Sequence, residues 1–386
     1  MSKKYTKNKT ATFALEPDGF SIHTVELSRE LGKQAYQTLK DSLYKQQKRS
    51  GGRTWIHKDP SCDHGHICTL YSECGVRIQL RHNSKDCVDT FFVRMVVNPR
   101  KLIDPASSYL GILPPKESSI TSFAKAFKRL FAGTLFDNNI DNYYLTRADL
   151  CANIRCDNSK LFRELVRALR KLPTPPKYER KLYKCEDKKK ANRYNKHYLR
   201  FHCGTHDLII YDKTYQIRNG NLVIGYEKLP EGVLRFEVHC ERAYLRKVEK
   251  ESRAENTSRL LAVLIDESRG RITRHFSHSF ADVRFARKEE LDAMIDASSY
   301  QKNSKAAMLA LADSLQRIQS VDKALEKLKK AEYDTDQILD RFSKLGISPI
   351  PLRKNFCAAS IPGPVELLRS VSSGDVEVPY IKVKYK

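Results

Sequence analysis

Two stretches of this chain alternate so strictly between apolar and chemically active side chains that they read as β-strands with one face in a core and the other open to chemistry. Around Leu150, period two puts Arg147, Asp149, Cys151 and Asn153 on one face and Thr146, Ala148, Leu150, Ala152 and Ile154 on the other. Around Phe236, Arg235, Glu237, His239 and Glu241 oppose Leu234, Phe236, Val238 and Cys240. In both strands an acid follows an arginine at i+2. Between them in sequence, Tyr211 shares a face with Ile209 and Lys213, while Leu208, Ile210 and Asp212 take the reverse. If these strands are neighbours in one sheet, Asp149, Glu237, Tyr211, Lys213 and His239 converge on one surface.

That set suits chemistry on phosphate. The hard oxygens of Asp149 and Glu237 match Mg²⁺ or Mn²⁺, which fill the rest of their shell with water and substrate phosphate. A phenol with a pKa of ~10 attacks poorly while protonated. Lys213 is expected to supply a positive field to Tyr211, and His239 or a metal-bound water to take its proton. Arg147 and Arg235 are expected to steady phosphate or to pair with carboxylates. The plainer alternative is that Arg-x-Asp and Arg-x-Glu are ordinary cross-strand ion pairs on a wet sheet face.

The rest of the chain supplies a frame. In 74–98, Val76, Ile78 and Leu80 alternate with Arg77, Gln79 and Arg81, and the run 91–97 containing Arg94 follows a polar turn, which predicts an antiparallel pair. Phe123, Phe127, Leu130 and Phe131 predict a basic amphipathic helix, and 159–172 a second helix. The Lys- and Arg-dense stretch 178–196 reads as a solvated arm touching phosphate or as a mobile loop. Strands return at 198–203, 207–213, 221–226 and 233–240, with Asn219-Gly220 as turn chemistry. Beyond Ala243 the pattern turns helical, and Pro349, Pro351, Pro362 and Pro364 predict a loop-rich end. The expected fold class is α+β, with two antiparallel sheet regions, packed helices and a mainly helical C-terminal part. The expected divisions are 1–142 as an N-terminal α+β region that binds DNA, 143–246 as the catalytic sheet region, 247–345 as a helical region and 346–386 as a loop-rich tail.

Charge narrows the partner. Against 46 Asp and Glu stand 70 Lys and Arg, a net charge of +24 that gathers polyanions and releases their counterions. Nucleic acid is the expected polyanion, with Arg77, Arg81, Arg94, Arg147 and Arg235 as contacts. Met1 to Thr10 are polar and basic, and the longest apolar run, Leu260 to Ile265, is too short to cross a bilayer, so no membrane and a cytoplasmic location are expected. Ten cysteines scattered through a charged chain read as reduced thiols. Cys62, His64, His66, Cys68 and Cys74 cluster, but without a Cys-x-x-Cys pair they fall short of a zinc signature. Trp55, Tyr198 and Phe201 are candidates for stacking on unpaired bases.

The order of four short segments is the most specific signal. Val93-Arg94-Met95-Val96-Val97-Asn98-Pro99, Leu145-Thr146-Arg147-Ala148-Asp149-Leu150, Ile210-Tyr211-Asp212-Lys213 and Leu234-Arg235-Phe236-Glu237-Val238 resemble, in that order, motifs of the Rep_trans family. That family contains plasmid rolling-circle replication initiators and relaxases of some conjugative elements. The resemblance spans roughly 91–246. It implies that Tyr211 is the nucleophile and that Asp149 and Glu237 serve a divalent metal. It differs at Asp212, where the family commonly has Asn, and at Asn153, where a second acid often stands.

The implied reaction is nicking of single-stranded DNA: Tyr211 becomes joined to a 5′ phosphate and a 3′ hydroxyl is freed. The resemblance also implies binding of duplex origin DNA through the region after Ala243, recruitment of a host helicase, and a homodimer. A conjugative-element relaxase with the same chemistry, an inactive sequence-specific DNA-binding protein and an RNA-binding module are the alternatives.

Overall fold

In the computed structural model, residues 4–50, 54–59, 64–85, 88–220, 230 and 232–385 are described. Among them the strands are β1 (Lys4–Leu31), β2 (Ile56–Lys58), β3 (His66–Cys68), β4 (Val76–Lys85), β5 (Val88–Val97), β6 (Tyr144–Cys156), β7 (Glu179–Lys181), β8 (Tyr198–His202), β9 (His206–Asp212), β10 (Val233–Glu241), β11 (Arg284–Ala286), β12 (Ser360–Pro362) and β13 (Val376–Tyr385). The order β2-β3-β4-β5-β1-β6-β10-β9-β8-β7, with β13 added beside β1, makes one eleven-stranded antiparallel sheet; β11 and β12 form a small second one. The class is α+β with a mostly helical C-terminal part. The two predicted sheet regions are the flanks of a single sheet, because β1 pairs with β5 on one side and β6 on the other.

One face of the sheet is a core. Ala148, Leu150, Ala152 and Ile154 of β6, Leu234, Phe236, Val238 and Cys240 of β10, and Leu208 and Ile210 of β9 are all buried. Helices Ser159–Leu169, Thr257–Asp266 and Ser268–Ser279 cover this face, with the Phe236 and Phe276 rings edge to face at 5.2 Å. Burying such side chains stabilises by roughly 1.5–3 kcal/mol each. Strict alternation therefore fixes which residues are left on the reverse.

Several predicted elements differ. The end 346–386 is no loop-rich tail: it carries β12, helix Pro364–Val371 and β13, which pairs with β1 from Lys4 to Phe13. Pro364 opens its helix, where a missing N–H costs nothing, so the prolines mark starts and stops. The arm 178–196 is folded as β7 and helix Lys188–Tyr194. Asn219 ends helix Lys213–Asn219 instead of turning a hairpin, and the predicted strand 221–226 lies outside the described residues. No described helix is long and apolar enough to cross a membrane.

Entry into β4 depends on Gly75. Its φ of +74° is left-handed, its carbonyl accepts from the Asn98 N–H at 2.8 Å, and a Cβ there would lie 2.5 Å from the Lys101 Cβ. Gly75→Ala is expected to cost about 2 kcal/mol or more. A urea midpoint equal to the parent's would show that the contact relaxes freely.

Candidate active site

Register assembles the reverse face. In the β6–β10 pair Asn153 lies opposite Arg235, Cys151 opposite Glu237 and Asp149 opposite His239; in the β10–β9 pair Arg235 lies opposite Tyr211 and His239 opposite Asp207. Directly opposed residues of antiparallel strands point to the same side. Tyr211, Arg235, Glu237, His239, Asp149 and Arg147 therefore share one surface.

β1 adds to it by an irregularity. Its pairing with β6 shifts between Ile22 and Thr24, so His23 is an extra residue. Such a bulge re-aims a side chain. His23 Nδ1 comes within 3.6 Å of Glu237 Oε1 and 3.0 Å of Thr24 Oγ1.

Glu237 is the hub. Tyr211 donates its hydroxyl proton to Glu237 Oε1 at 2.7 Å, and His239 Nε2 lies 3.0 Å from Oε2. The same His239 nitrogen is 3.8 Å from Asp149 Oδ1. Arg147 grips both oxygens of Asp149, at 2.9 and 3.1 Å, and its Nη1 lies 3.7 Å from Glu26, which also pairs with Arg94. Arg235 is 0 % exposed: Nε donates to Asn153 Oδ1 and Nη2 to the Leu110 carbonyl, both at 2.6 Å. Its Nη1 has no hydrogen-bond partner and stands 3.6 Å from Glu237 Oε1.

Burial and charge set the proton inventory. Burial pushes the Glu237 carboxyl up, but the His239 hydrogen bond and the charges of His239, His23 and Arg235 outweigh it and hold the group well below the usual carboxylate range. Burial pulls His239 down, yet Asp149 and Glu237 bring it above the usual imidazole value. Burial, then Glu237, raises Tyr211 well above an ordinary phenol. Burial, then Arg235, pushes both His23 and Lys213 well below their ordinary values. The cluster thus holds an anion at Glu237 against cations at His239 and Arg235.

Lys213 is not on a strand. It opens helix Lys213–Asn219, its Nζ donates to Gln216 Oε1 at 2.7 Å, and it lies 5.9 Å from the Tyr211 ring centre. The strand period was carried one residue too far, because Asp212 ends β9 by capping that helix, its Oδ1 accepting from Tyr215 N at 2.8 Å. Asn caps as well as Asp, so the departure at this position keeps the local structure. Asp212→Asn is expected to leave thermal stability within about 0.5 kcal/mol and Asp212→Ala to cost about 1 kcal/mol. Equal loss in both would mean that the pair with His197, at 3.1 Å, matters more than the cap.

Other expected residues are placed elsewhere. Arg77 and Arg81 share the polar face on β4, but β5, β1, β6 and β10 separate their strand from that of Tyr211. Arg94 and Arg147 pair with Glu26 and Asp149, and Arg235 is fully buried behind the polar face. Trp55 and Phe201 are buried in the core, which leaves Tyr198 half-exposed beside Tyr211. Of the Cys62–Cys74 cluster, Cys62 lies outside the described residues; Cys68 is buried, and the His64 ring lies 5.2 Å from that of His82. A cavity of about 750 Å³ is lined by Lys33, Lys40, Lys58, His64 and His66 and includes none of Asp149, Tyr211, Glu237 and His239.

As metal donors, Asp149 and Glu237 offer the hard carboxylate oxygens that suit Mn²⁺ or Mg²⁺, and the imidazoles of His239 and His23 stand beside them on one surface. Among the described residues no three such side chains converge on a single point; these face one another through hydrogen bonds.

Sequence reading missed His23 and Glu26 because β1 was not recognised. The signal was present as Ile22, Val25 and Leu27, all 0 % exposed, whose alternation slips by one residue at the bulge. No protein-family model matches the chain, and no curated protein matches it.

Proposed function

We propose that this protein nicks single-stranded DNA through Tyr211, as a rolling-circle replication initiator does. The observation that carries this reading is the Tyr211 hydroxyl donating at 2.7 Å to a carboxylate flanked by a histidine and an arginine. Glu237 takes the phenol proton as the Tyr211 oxygen bonds to phosphorus and the bond from phosphorus to O3′ breaks. His239 stands where it can return a proton to the leaving 3′ oxygen. Arg235 Nη1, ion-paired with Glu237 at 3.6 Å and without a hydrogen-bond partner, would turn to the charge that builds on the phosphate. The products are a 5′-phosphotyrosine link and a 3′ hydroxyl that primes synthesis. The energy of the broken link is kept in the ester, so rejoining needs no nucleotide.

Tyr211 is 4 % exposed, so DNA must uncover it. Asp149 and Glu237 would hold Mg²⁺ or Mn²⁺. The ion would polarise the scissile phosphate. A relaxase of a conjugative element would use the same groups. In this reading the partners are single-stranded and duplex origin DNA, with a host helicase and a second copy of the chain, and the location is cytoplasmic.

The test is incubation of the full chain with labelled single strands and Mn²⁺ or Mg²⁺, followed by a denaturing gel and peptide mapping. A covalent adduct at Tyr211 with a free 3′ end supports the reading. Protein that binds these strands and never cuts them is an inactive DNA-binding relative instead.

A further inference from the structure

Beside the candidate site runs a group of rings that the core does not use. Tyr183 lies 4.4 Å from Tyr194, Tyr194 lies 5.3 Å from Tyr198, and Tyr198 lies 6.1 Å from Tyr211, all ring centre to ring centre. Tyr215 flanks the row at 6.4 Å from Tyr194 and stacks on His197 at 3.6 Å. None of these five tyrosines belongs to the apolar clusters of the described residues. Exposure falls along the row, from 38 % at Tyr183 through half-buried Tyr194 and Tyr198 to 4 % at Tyr211.

The row is built, and its surroundings are cationic. The Asn195 side chain clamps the Tyr183 backbone, accepting from its N–H at 2.8 Å and donating to its carbonyl at 3.0 Å. Asp187 caps helix Lys188–Tyr194 through the N–H groups of Lys189 and Lys190. Lys184, Lys188, Lys189, Lys190, Arg193 and Lys196 are exposed around it. Between 177 and 200 stand ten Lys and Arg against three acids, so the field here favours a polyanion.

Aromatic faces beside a basic groove bind unpaired bases whatever their sequence, because every base offers a π-face. A duplex cannot use such faces, since its bases are stacked on one another. We propose that Tyr183, Tyr194 and Tyr198 form a stacking track for a DNA single strand that leads the scissile phosphate to Tyr211, with the cations of helix Lys188–Tyr194 holding the backbone. This rests on Tyr211 being the nucleophile. It adds a binding site that would favour unpaired DNA over a duplex.

The test uses full-length Tyr211→Phe protein, which binds without turnover, and fluorescence anisotropy with three labelled 20-mers: oligo-dT, an abasic strand of equal length and a duplex. Oligo-dT is expected to bind at least about tenfold tighter than the abasic strand. Tyr183→Ala, a change at an exposed ring, is expected to weaken oligo-dT about five- to tenfold and leave the abasic strand within about twofold. Lys189→Ala is expected to weaken both strands alike and lower the salt slope by about one. Photocross-linking with 5-iododeoxyuridine is expected to map to Tyr183 or Tyr194.

Equal affinity for oligo-dT and the abasic strand, or equal loss of both in Tyr183→Ala, overturns the track. Tighter binding of a matched RNA overturns its assignment to DNA. Nicking by the wild-type chain is scored separately. Base-dependent binding without nicking keeps the track and removes the nuclease reading, and nicking without base dependence does the reverse.

Discussion

Tyr211→Phe protein is expected to bind single-stranded DNA as the parent does, to form no covalent adduct and to lose at least about 10³-fold in nicking. The change deletes the one oxygen that would bond to phosphorus. It leaves the ring in place and Glu237 still paired with His239, so the cost to stability should be only about 0.5–1.5 kcal/mol. That separation is the point of the experiment. Glu237→Gln keeps a hydrogen-bond acceptor for the phenol but cannot take its proton, and a loss of about 10²–10⁴-fold is expected there. Full activity in Tyr211→Phe with an adduct mapped to Tyr198 would move the nucleophile one strand over, since Tyr198 lies directly opposite Tyr211 in the β8–β9 pair.

The parts of this site legible in sequence are those in which period two runs unbroken. β6 from Arg147 onward and β10 throughout alternate without a break, so the faces of Asp149, Glu237 and His239 followed from spacing alone. β1 was hidden because it is the most irregular strand: its register with β6 slips between Leu15 and Phe20, at Ile22 and again at Glu26. The first two slips each move the apolar set of β1 to the opposite parity, and the third is an extra residue, Thr146, on β6. Yet this strand joins the two flanks and supplies His23. Lys213 was misplaced for the converse reason: a pattern continued past Asp212, where a side-chain cap starts a helix. Convergence in space needed coordinates, because no spacing rule says that β6 and β10, some eighty residues apart, are adjacent.

Arg235→Met is expected to destabilise the fold by about 3–5 kcal/mol, more than any other single change on the polar face. This guanidinium is fully buried and holds three elements at once: Asn153 on β6, the Leu110 carbonyl in the loop before helix Glu117–Phe131, and Glu237 on its own strand. A thioether fills similar space but donates nothing. It would take the guanidinium charge from the buried Glu237 anion, which keeps only Tyr211, His23 and His239, and leave the Asn153 oxygen unsatisfied.

Urea unfolding should show the midpoint fall with an unchanged slope. Arg235→Lys should recover only part, because one ammonium cannot reproduce the spread of the guanidinium fork. The double variant Arg235→Met with Glu237→Gln should be more stable than the sum of the two single changes predicts, since the second removes the charge that the first strands. A loss below about 1 kcal/mol in Arg235→Met would mean that water replaces the clamp. The free Nη1 beside Tyr211 would then be a consequence of loose packing and not a donor held ready for phosphate.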